Sequence, residues 1–336
     1  MKAIRTQSIM IQNLCMPCFN RCRYCLLSWD RKPVGTAWER GVVLAERYIS
    51  ELRAARPGVN VSYAFGYSME HPELRKAIQT LRRLGSPTAE FLQCDGMAMR
   101  DEGQCRELMQ MLKAEGIKNL NFTVYGLKDY HDRFAGRIGD YDLLLRMMHA
   151  ADQAGISFDS GIPITKENVR QTDELVGLLK HAGSRSVTLF IPHEEGRGKT
   201  LNPIRLEQDD LTALSPESSG LLNRTIYRTE SKWLSCADPV QETKRMILLS
   251  FRSDNVDRYE TRSAISVVEE IEALDEAYHS AFPDFAELAK EYGDAAGKRL
   301  YRIRDLHHHY RALFAADHNL ELYDVTDERQ SGSRRS

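Results

Sequence analysis

The sequence has no apolar run long enough to cross a membrane and no large net charge. A membrane helix needs about 20 consecutive apolar residues. Its 46 lysines and arginines balance 48 aspartates and glutamates to a net charge of -2, so no global basic field points to nucleic acid. The N-terminus lacks the apolar segment of a signal peptide. These absences predict a cytoplasmic protein that binds neither membrane nor nucleic acid.

Cysteine is scarce outside one short segment. Four of the seven cysteines lie within residues 15–25, and the chain after Cys105 contains only Cys236. Isolated cysteines of this kind are most often small buried apolar residues. We therefore expect one metal centre at most, held by residues 15–25.

The spacing of Cys18, Cys22 and Cys25 is C-x3-C-x2-C. Three thiolates this close in one loop can converge on a single iron–sulfur cluster. A 4Fe–4S cluster usually takes four cysteine ligands, so a cluster held by three has one iron open to a substrate or a cofactor. Cys15 is the surplus thiol, and we expect it to be a bystander.

Other uses of clustered cysteines fit this segment less well. A structural zinc site usually separates its cysteine pairs by a dozen or more residues, whereas here three residues separate Cys18 from Cys22. A ferredoxin run reads C-x2-C-x2-C-x3-C-P, and this segment has a different spacing and no such proline. A disulfide cluster would need an oxidising compartment. One alternative stays open, an iron–sulfur electron-transfer or redox-sensing protein.

The cysteine spacing, with aromatic Tyr24 just before the last thiol, resembles that of the radical S-adenosylmethionine (radical SAM) enzymes. The resemblance implies two cofactors, a 4Fe–4S cluster bound by Cys18, Cys22 and Cys25, and SAM bound at the open iron. It also implies a reductive cleavage of SAM to a 5′-deoxyadenosyl radical, which abstracts hydrogen from a substrate. The electron would come from an external donor of the flavodoxin or ferredoxin type.

Strand and helix patterns alternate through the first two thirds of the chain. The predicted strands span residues 8–14, 59–65, 89–93, 119–125, 156–162 and 186–191, and the predicted helices span residues 38–55, 72–84, 101–115, 140–154 and 169–182. Such alternation predicts an α/β protein with parallel strands and right-handed crossovers. Six units are fewer than the eight of a closed barrel. The resemblance implies a partial (β/α)6 TIM-like barrel with its active site at the carboxyl ends of the strands.

The pattern changes after about residue 200. We expect a core domain over residues 1–200, a mainly helical C-terminal region over residues 201–326 and a disordered tail over residues 327–336. Helices are predicted at residues 206–214, 223–234, 261–282, 285–292 and 295–316, with a possible strand at 245–250.

The segment after the second strand matches the family's SAM-binding loop only in part. Radical SAM enzymes often carry Gly-Gly-Glu-Pro there, followed by a His-Pro-x-Leu helix start, and residues 71–74 read His-Pro-Glu-Leu. Gly66 falls on the second glycine, and Tyr67 stands where the glutamate is expected. The contact with SAM's amino group would then come from main-chain carbonyls or from Ser68. The alternative for Gly66 is an ordinary strand-end turn.

Further cofactor contacts are implied at the ends of the later strands. The resemblance places Asp95, Thr123 and Tyr125 at SAM, Arg137 at SAM's carboxylate, and Ile191 in the adenine and ribose pocket. The alternative for the Arg137 segment is a helix-capping loop.

This stretch of the fourth unit also resembles the peptide- and protein-maturase branch of the superfamily. Relatives in that branch commonly add a C-terminal domain with auxiliary clusters, for which this chain lacks the cysteines. We therefore expect either a peptide or a small polar molecule as the substrate.

Overall fold

The computed structural model describes residues 5–14, 18–25, 38–66, 68–71, 73–86, 89–236, 244–251 and 255–322. Cys15, Tyr67 and the predicted tail over residues 327–336 lie outside the described residues.

Nine strands and twelve α-helices are present in the described part of the chain. The strands are β1 (Arg5–Leu14), β2 (Asn60–Gly66), β3 (Phe91–Gln93), β4 (Asn119–Thr123), β5 (Ser157–Pro163), β6 (Ser186–Phe190), β7 (Arg228–Thr229), β8 (Lys244–Phe251) and β9 (Leu300–Tyr301). The helices are α1 (Trp38–Ala55), α2 (Leu74–Arg83), α3 (Glu102–Ala114), α4 (Lys128–Ala135), α5 (Asp140–Gln153), α6 (Thr172–His181), α7 (Pro216–Gly220), α8 (Glu230–Leu234), α9 (Val256–Glu260), α10 (Ala264–Ala281), α11 (Phe285–Tyr292) and α12 (Ile303–His318). Short 3₁₀ helices span Ser68–Glu70, Val169–Gln171, Gly196–Ile204 and Asp209–Ala213.

The six strands of the predicted alternation and a seventh strand, β8, form two parallel sheets. One has the order β2-β1-β8 and the other β3-β4-β5-β6. Every pair within these two sheets is parallel. The predicted α/β class, with parallel strands joined by helices, is confirmed. All carboxyl ends within each sheet therefore lie at one edge, where ligands bind in open parallel sheets.

Strand β8 comes from the segment that the sequence assigns to the C-terminal region. It pairs with β1 from Arg5 opposite Lys244 to Asn13 opposite Phe251. The β1 strand is thus buried between two neighbours, and its side chains Ile9 and Ile11 are fully buried. The C-terminal part of the chain therefore completes the sheet that carries the cysteine loop.

Two apolar cores stabilise the two sheets. Helix α1 buries Val42, Ala45, Ile49 and Leu52, the face that its sequence periodicity predicts. Together with α10 it covers the β2-β1-β8 sheet. The larger core lies around β3 to β6 and includes side chains from α3, α5 and α6.

Two predicted helices in the C-terminal part were wrong in their extent. Residues 223–234 contain turns, strand β7 and only the short helix α8, and residues 295–316 contain a turn and strand β9 before α12 starts. Strands β7 and β9 pair antiparallel, with Arg228 opposite Tyr301. Pairing between segments about 70 residues apart overrides the local helical pattern, which the sequence does not reveal. Helix α4 was not predicted at all.

No helix in the described ranges is long and apolar enough to span a membrane.

Candidate metal centre at the strand ends

The cysteine loop, residues 18–25, follows β1 and is seated by main-chain hydrogen bonds. The amide of Phe19 donates to the carbonyl of Gly96 at 2.9 Å, which lies just after β3. The amides of Arg21 and Arg23 donate to carbonyls at the end of α4, at 2.5 and 3.1 Å. The loop thus lies across the carboxyl ends of strands from both sheets.

Glycine is required where the loop meets its neighbours. Gly96 has a φ of +63°, and a Cβ there would lie 1.9 Å from the Sγ of Cys18. Gly136, with a φ of +66°, would place a Cβ 2.7 Å from the Cβ of Arg21. Any side chain at Gly96 would displace the Cys18 thiol, because two non-bonded heavy atoms cannot approach as closely as 1.9 Å.

Cys18, Cys22 and Cys25 are all partly buried. Burial raises the pKa of the Cys18 thiol to about 11 and raises the pKa of Cys22 as well. Negative charge on Cys25 raises both pKa values further. Thiolates this close together and this far from water need compensating positive charge, which bound iron would supply.

The donor set of the cysteine loop fits an iron–sulfur cluster. Such clusters are held by cysteine thiolates, and Cys18, Cys22 and Cys25 are partly buried and interact electrostatically with one another. Among the described residues, no group of three His, Cys, Asp or Glu side chains could hold a single metal ion. The role of the three thiols as ligands stays a prediction.

Tyr125 lies directly behind the loop. Its hydroxyl oxygen is 2.9 Å from the Sγ of Cys22, and its ring packs at 4.8 Å from the imidazole of His131 and 4.9 Å from the ring of Phe134. Tyr24 contacts Tyr125 edge-on, with 5.6 Å between ring centroids. The predicted residues Tyr24 and Tyr125 are therefore together, in an aromatic cluster behind Cys22.

The loop is also held by a buried carboxylate, Asp140. The Nδ2 of Asn20 donates to it at 2.8 Å, the Nε2 of His131 lies 3.0 Å away, and the Nη2 of Arg137 donates at 2.5 Å. Burial alone would raise the pKa of Asp140, but the contacts with His131 and Arg137 outweigh it and lower the pKa. The Nδ1 of His131 accepts from the amide of Tyr125 at 3.0 Å, so its Nε2 carries the proton toward Asp140.

Asp95 joins the ends of β3 and β4. Its carboxylate accepts from the amide of Thr123 at 2.9 Å and from the Thr123 hydroxyl at 2.8 Å. It also accepts from Gln93. Burial raises the pKa of Asp95 to about 6, and the hydrogen bonds from Thr123 limit the rise. The predicted residues Asp95 and Thr123 therefore contact each other.

The remaining predicted cofactor residues are placed as follows. Gly66 is the last residue of β2, opposite Leu14 at the start of the cysteine loop segment. Ser68 begins a 3₁₀ helix, and Ile191 is buried just after β6. Arg137 contacts Asp140 and the carbonyl of Met97. These contacts hold its guanidinium against protein groups, while its Nε has no hydrogen-bond partner in the described part of the chain.

Two residues that stabilise the surroundings of the site, Asn168 and Glu70, were not identified from the sequence. Buried Asn168 donates from Nδ2 to the carbonyls of Tyr125, at 2.7 Å, and Pro163, at 2.8 Å, and so ties the ends of β4 and β5 together. Glu70 forms a bidentate pair with Arg100 at 2.6 and 2.9 Å. Tyr125 lies 43 residues from Asn168, and Arg100 lies 30 residues from Glu70, so no local motif indicates these two contacts.

The loop after β6 also contacts the cysteine loop at the carboxyl ends of the strands. The amide of Arg197 donates to the carbonyl of Cys25 at 2.9 Å, and its Nη1 lies 3.4 Å from the carbonyl of Cys22. A Cβ at Gly198 would lie 2.0 Å from the carbonyl oxygen of His193. Arg197 therefore holds the end of the cysteine loop rather than forming an exposed polar turn.

Part of the chain matches a known protein family. Residues 17–179 match the family model of the radical SAM superfamily. A curated relative, Fe-coproporphyrin III synthase of Methanosarcina barkeri, is 27% identical over 96 residues, which are 29% of this chain and 24% of that protein. The chain thus spans about a quarter of the length of the curated relative that it matches.

Several solved structures resemble this chain. Streptococcus suis SuiB bound to S-adenosylmethionine has a TM-score of 0.47 and 14% identity, over 72% of this chain and 58% of that one. Coproporphyrinogen III oxidase (HemN) from Escherichia coli, described as a radical SAM enzyme, has a TM-score of 0.43 and 13% identity, over 74% and 64%. Both TM-scores are below 0.5.

Proposed function

Because the chain belongs to the radical SAM superfamily through residues 17–179, we propose that it is an enzyme that starts a radical reaction on a peptide or a small polar substrate. The cofactors of this superfamily are a 4Fe–4S cluster and SAM. Together, when bound, they supply a one-electron cleavage of SAM to methionine and a 5′-deoxyadenosyl radical, which takes a hydrogen atom from a C–H bond.

The observation that carries the proposal is the set of main-chain hydrogen bonds that holds the cysteine loop in place. Its amides bond to carbonyls just after β3 and at the end of α4, and its carbonyl at Cys25 accepts from Arg197 after β6. Three thiols are thereby held where parallel strands end, which is the ligand-binding edge in such folds. Cys18, Cys22 and Cys25 would each bind one iron and leave a fourth iron for SAM.

The residues around the loop have the chemistry to receive SAM. Asp95 and Thr123 present polar oxygen atoms, and Gly66 with Ser68 offers main-chain groups at the end of β2. Tyr24 and the buried Ile191 are proposed as apolar contacts of the adenosine group. Tyr67 is proposed at the position of the family's glutamate, and the unpartnered Nε of Arg137 is the atom proposed to meet SAM's carboxylate.

An iron–sulfur protein that only carries electrons is the second candidate. It would need the cysteine loop but neither an open iron nor a closed pocket. The enzyme must exclude water and hold the target carbon close to the radical, since an unpositioned radical would be quenched. An external electron donor is required in both cases, so a requirement for one does not distinguish them.

The test is the electron paramagnetic resonance (EPR) spectrum of the reduced cluster with and without SAM. Binding of SAM to an open iron changes the spectrum, whereas a cluster with four protein ligands is unaffected. An unchanged spectrum in protein with a full iron complement would favour the electron-transfer candidate.

Single substitutions test which cysteines bind the iron–sulfur cluster. Cys18→Ala, Cys22→Ala and Cys25→Ala should each abolish iron loading, whereas Cys105→Ala, at a buried cysteine in α3, should not. Cys15→Ala should also retain iron. Loss of the cluster in the Cys15 variant would make it a ligand and remove the open iron.

A further inference from the structure

A cluster of charged side chains joins the end of β6 to the start of α12. His193 lies three residues after β6, and Arg302 and Arg304 lie on either side of the first residue of α12. The Nη2 atoms of both arginines contact the same acceptor, Nδ1 of His193, at 3.1 Å for Arg304. One ring nitrogen has a single lone pair, so it cannot satisfy both donors.

The two arginines differ in their other contacts. Arg302 binds Asp305 through Nε at 2.6 Å and through Nη2 at 3.0 Å, a bidentate ion pair. The Nε of Arg304 is buried and has no hydrogen-bond partner among the described residues. A buried donor without an acceptor costs free energy. Arg304 is thus the arginine of this pair with a buried donor, Nε, that lacks an acceptor among the described residues.

The electrostatic surroundings of Arg304 are also unfavourable. It is the second residue of α12, and a helix N-terminus repels cations. Burial lowers the pKa of Arg304, and the charge of Arg302 lowers it further. Asp305 and Glu195 raise that pKa, but neither accepts a hydrogen bond from Nε. An additional anion at Nε would relieve both deficits.

We propose that the Nε–Nη2 edge of Arg304 binds a carboxylate group of the substrate. This edge carries two parallel N–H donors, which match the two oxygens of a carboxylate. The inference rests on the proposed function and names the chemistry of its substrate, an acidic side chain or chain end of a peptide, or a small organic acid.

The charged residues around Arg304 favour a ligand with one negative charge over a ligand with two. Three arginines in this cluster face three acidic residues, and the members are Arg205, Arg302, Arg304, Glu194, Glu195 and Asp305. A phosphate dianion would meet these carboxylates and be repelled. A carboxylate adds one charge next to Arg304, where acceptors are lacking.

The site lies at the edge that holds the cysteine loop. The carbonyl oxygens of His193 and Tyr24 both lie beside Gly198, at 2.0 and 3.8 Å from the position of a Cβ there. Residues 193–198 therefore connect the Arg304 site directly to the loop of Cys18, Cys22 and Cys25. A substrate anchored at Arg304 would approach the cofactors from the β6 side.

A purely structural role for the cluster, the docking of α12, is already fulfilled by other residues. Glu194 forms a buried ion pair with Arg205 at 2.7 Å, and its other oxygen contacts the Nδ1 of His309 on α12 at 2.9 Å. Glu194 is 3% exposed. Docking therefore does not account for a second guanidinium at His193.

The test measures binding of four probes to the anaerobically reconstituted holoprotein by calorimetry. The probes are glutarate, its diamide, an acetylated and amidated pentapeptide with one glutamate, and the same peptide with glutamine. At least one acidic probe should bind and its amide should not, and the acid that binds identifies the source of the carboxylate. Arg304→Gln should weaken that binding about tenfold or more, because charged hydrogen bonds contribute about 1.5–3 kcal/mol.

Two further variants distinguish the effects of charge, of donor geometry and of folding on probe binding. Arg304→Lys retains the charge but loses the two-donor edge, so we expect it to bind more weakly than the wild type. Arg224→Gln, at an exposed arginine, removes the same charge from the C-terminal part and should bind as the wild type does. Circular dichroism in the absence of probe confirms that each variant is folded.

Three results would overturn the inference. They are equal binding by Arg304→Gln and the wild type, no binding of either acidic probe to the wild type, and a loss of SAM affinity in Arg304→Gln with probe binding intact. The last would place the guanidinium at SAM. Failure of SAM cleavage by the wild type is a separate result that bears on the proposed function, because probe binding is measured without turnover.

Discussion

The hydroxyl oxygen of Tyr125 lies 2.9 Å from the Sγ of Cys22. Tyr125 is 1% exposed, so its hydroxyl has no access to bulk water and takes its partner from the protein. A metal-bound thiolate cannot donate, so the tyrosine would be the donor once Cys22 binds iron. Hydrogen bonds to the sulfurs are one of the means by which a protein sets the potential of a cluster.

Tyr125→Phe should lower the reduction potential of the cluster. Removal of the donor leaves more negative charge on the sulfur, so addition of an electron becomes less favourable. An EPR-monitored redox titration measures the shift. Tyr130→Phe is the matched control, because this neighbour's hydroxyl contacts Thr165 at 3.2 Å and Glu167 at 3.3 Å instead of a thiol. Equal midpoint potentials for Tyr125→Phe and the wild type would show that the contact does not act on the cluster.

Asp140→Ala should destabilise the protein strongly. The carboxylate is 1% exposed and is the partner of Asn20, His131 and Arg137. Its loss leaves a guanidinium with uncompensated charge, which costs about 3–5 kcal/mol when one partner of a buried pair is removed. Urea denaturation measures the change in the free energy of unfolding.

The control for Asp140→Ala is in the same helix. Asp142→Ala breaks a solvent-exposed ion pair with Lys128 at 2.6 Å, and such pairs contribute about 0–1 kcal/mol. A loss at Asp140 no larger than that at Asp142 would mean that the Asp140 network does not stabilise the fold.

Gly96→Ala should reduce iron loading. The new Cβ would lie 1.9 Å from the Sγ of Cys18, and the φ of +63° is unfavourable for alanine. The thiol has to move, and the loop moves with it. Iron per chain after anaerobic reconstitution measures the effect. Gly58→Ala, where no atom lies within 4 Å of the new Cβ, should load iron as the wild type does, and full loading in both variants would contradict this account of the loop.

The contribution of Asp159 to stability should depend on pH. Its carboxylate, at the amino end of β5, binds Arg185 at 2.6 Å and Asn119 at 2.7 Å. Burial raises its pKa, but these hydrogen bonds and that from Ser186 outweigh it and lower the pKa below the ordinary value of 3.8. The stabilisation is therefore present above pH 3.8 and is lost as the pH falls through the folded-state pKa.

Asp159→Asn tests this dependence. We expect a loss of about 1–2 kcal/mol at pH 7, discounted for partial exposure, that shrinks as the pH falls below 3.8 through the folded-state pKa. Thermal unfolding across this range measures the difference from the wild type. A difference that does not change with pH would rule out the charge of Asp159 as its cause.

The sequence was sufficient for features set by local spacing. The period of apolar residues predicted all six strands of the parallel units and the buried face of α1, and the cysteine spacing alone pointed to the loop. Features set by contacts between distant segments were not predictable. The pairing of β8 with β1 and the contact of Arg304 with His193 join segments more than 100 residues apart.

Arg137 illustrates the limit at the site itself. The sequence suggests binding of SAM's carboxylate or a helix-capping loop, and it does not reveal that the guanidinium contacts Asp140 and the carbonyl of Met97. Which acceptor an arginine meets depends on the three-dimensional fold. Helix α4 was missed for a different reason. Its eight residues, Lys128–Ala135, are mostly polar, and this composition is also typical of a loop.

The central claim is that this cysteine loop directs the reductive cleavage of SAM. The most direct measurement is the 5′-deoxyadenosine formed when the anaerobically reconstituted protein is reduced with dithionite in the presence of SAM. The account predicts 5′-deoxyadenosine and methionine in equal amounts from the wild type, and neither from Cys22→Ala. Protein with an intact 4Fe–4S cluster and bound SAM that forms no 5′-deoxyadenosine would contradict it.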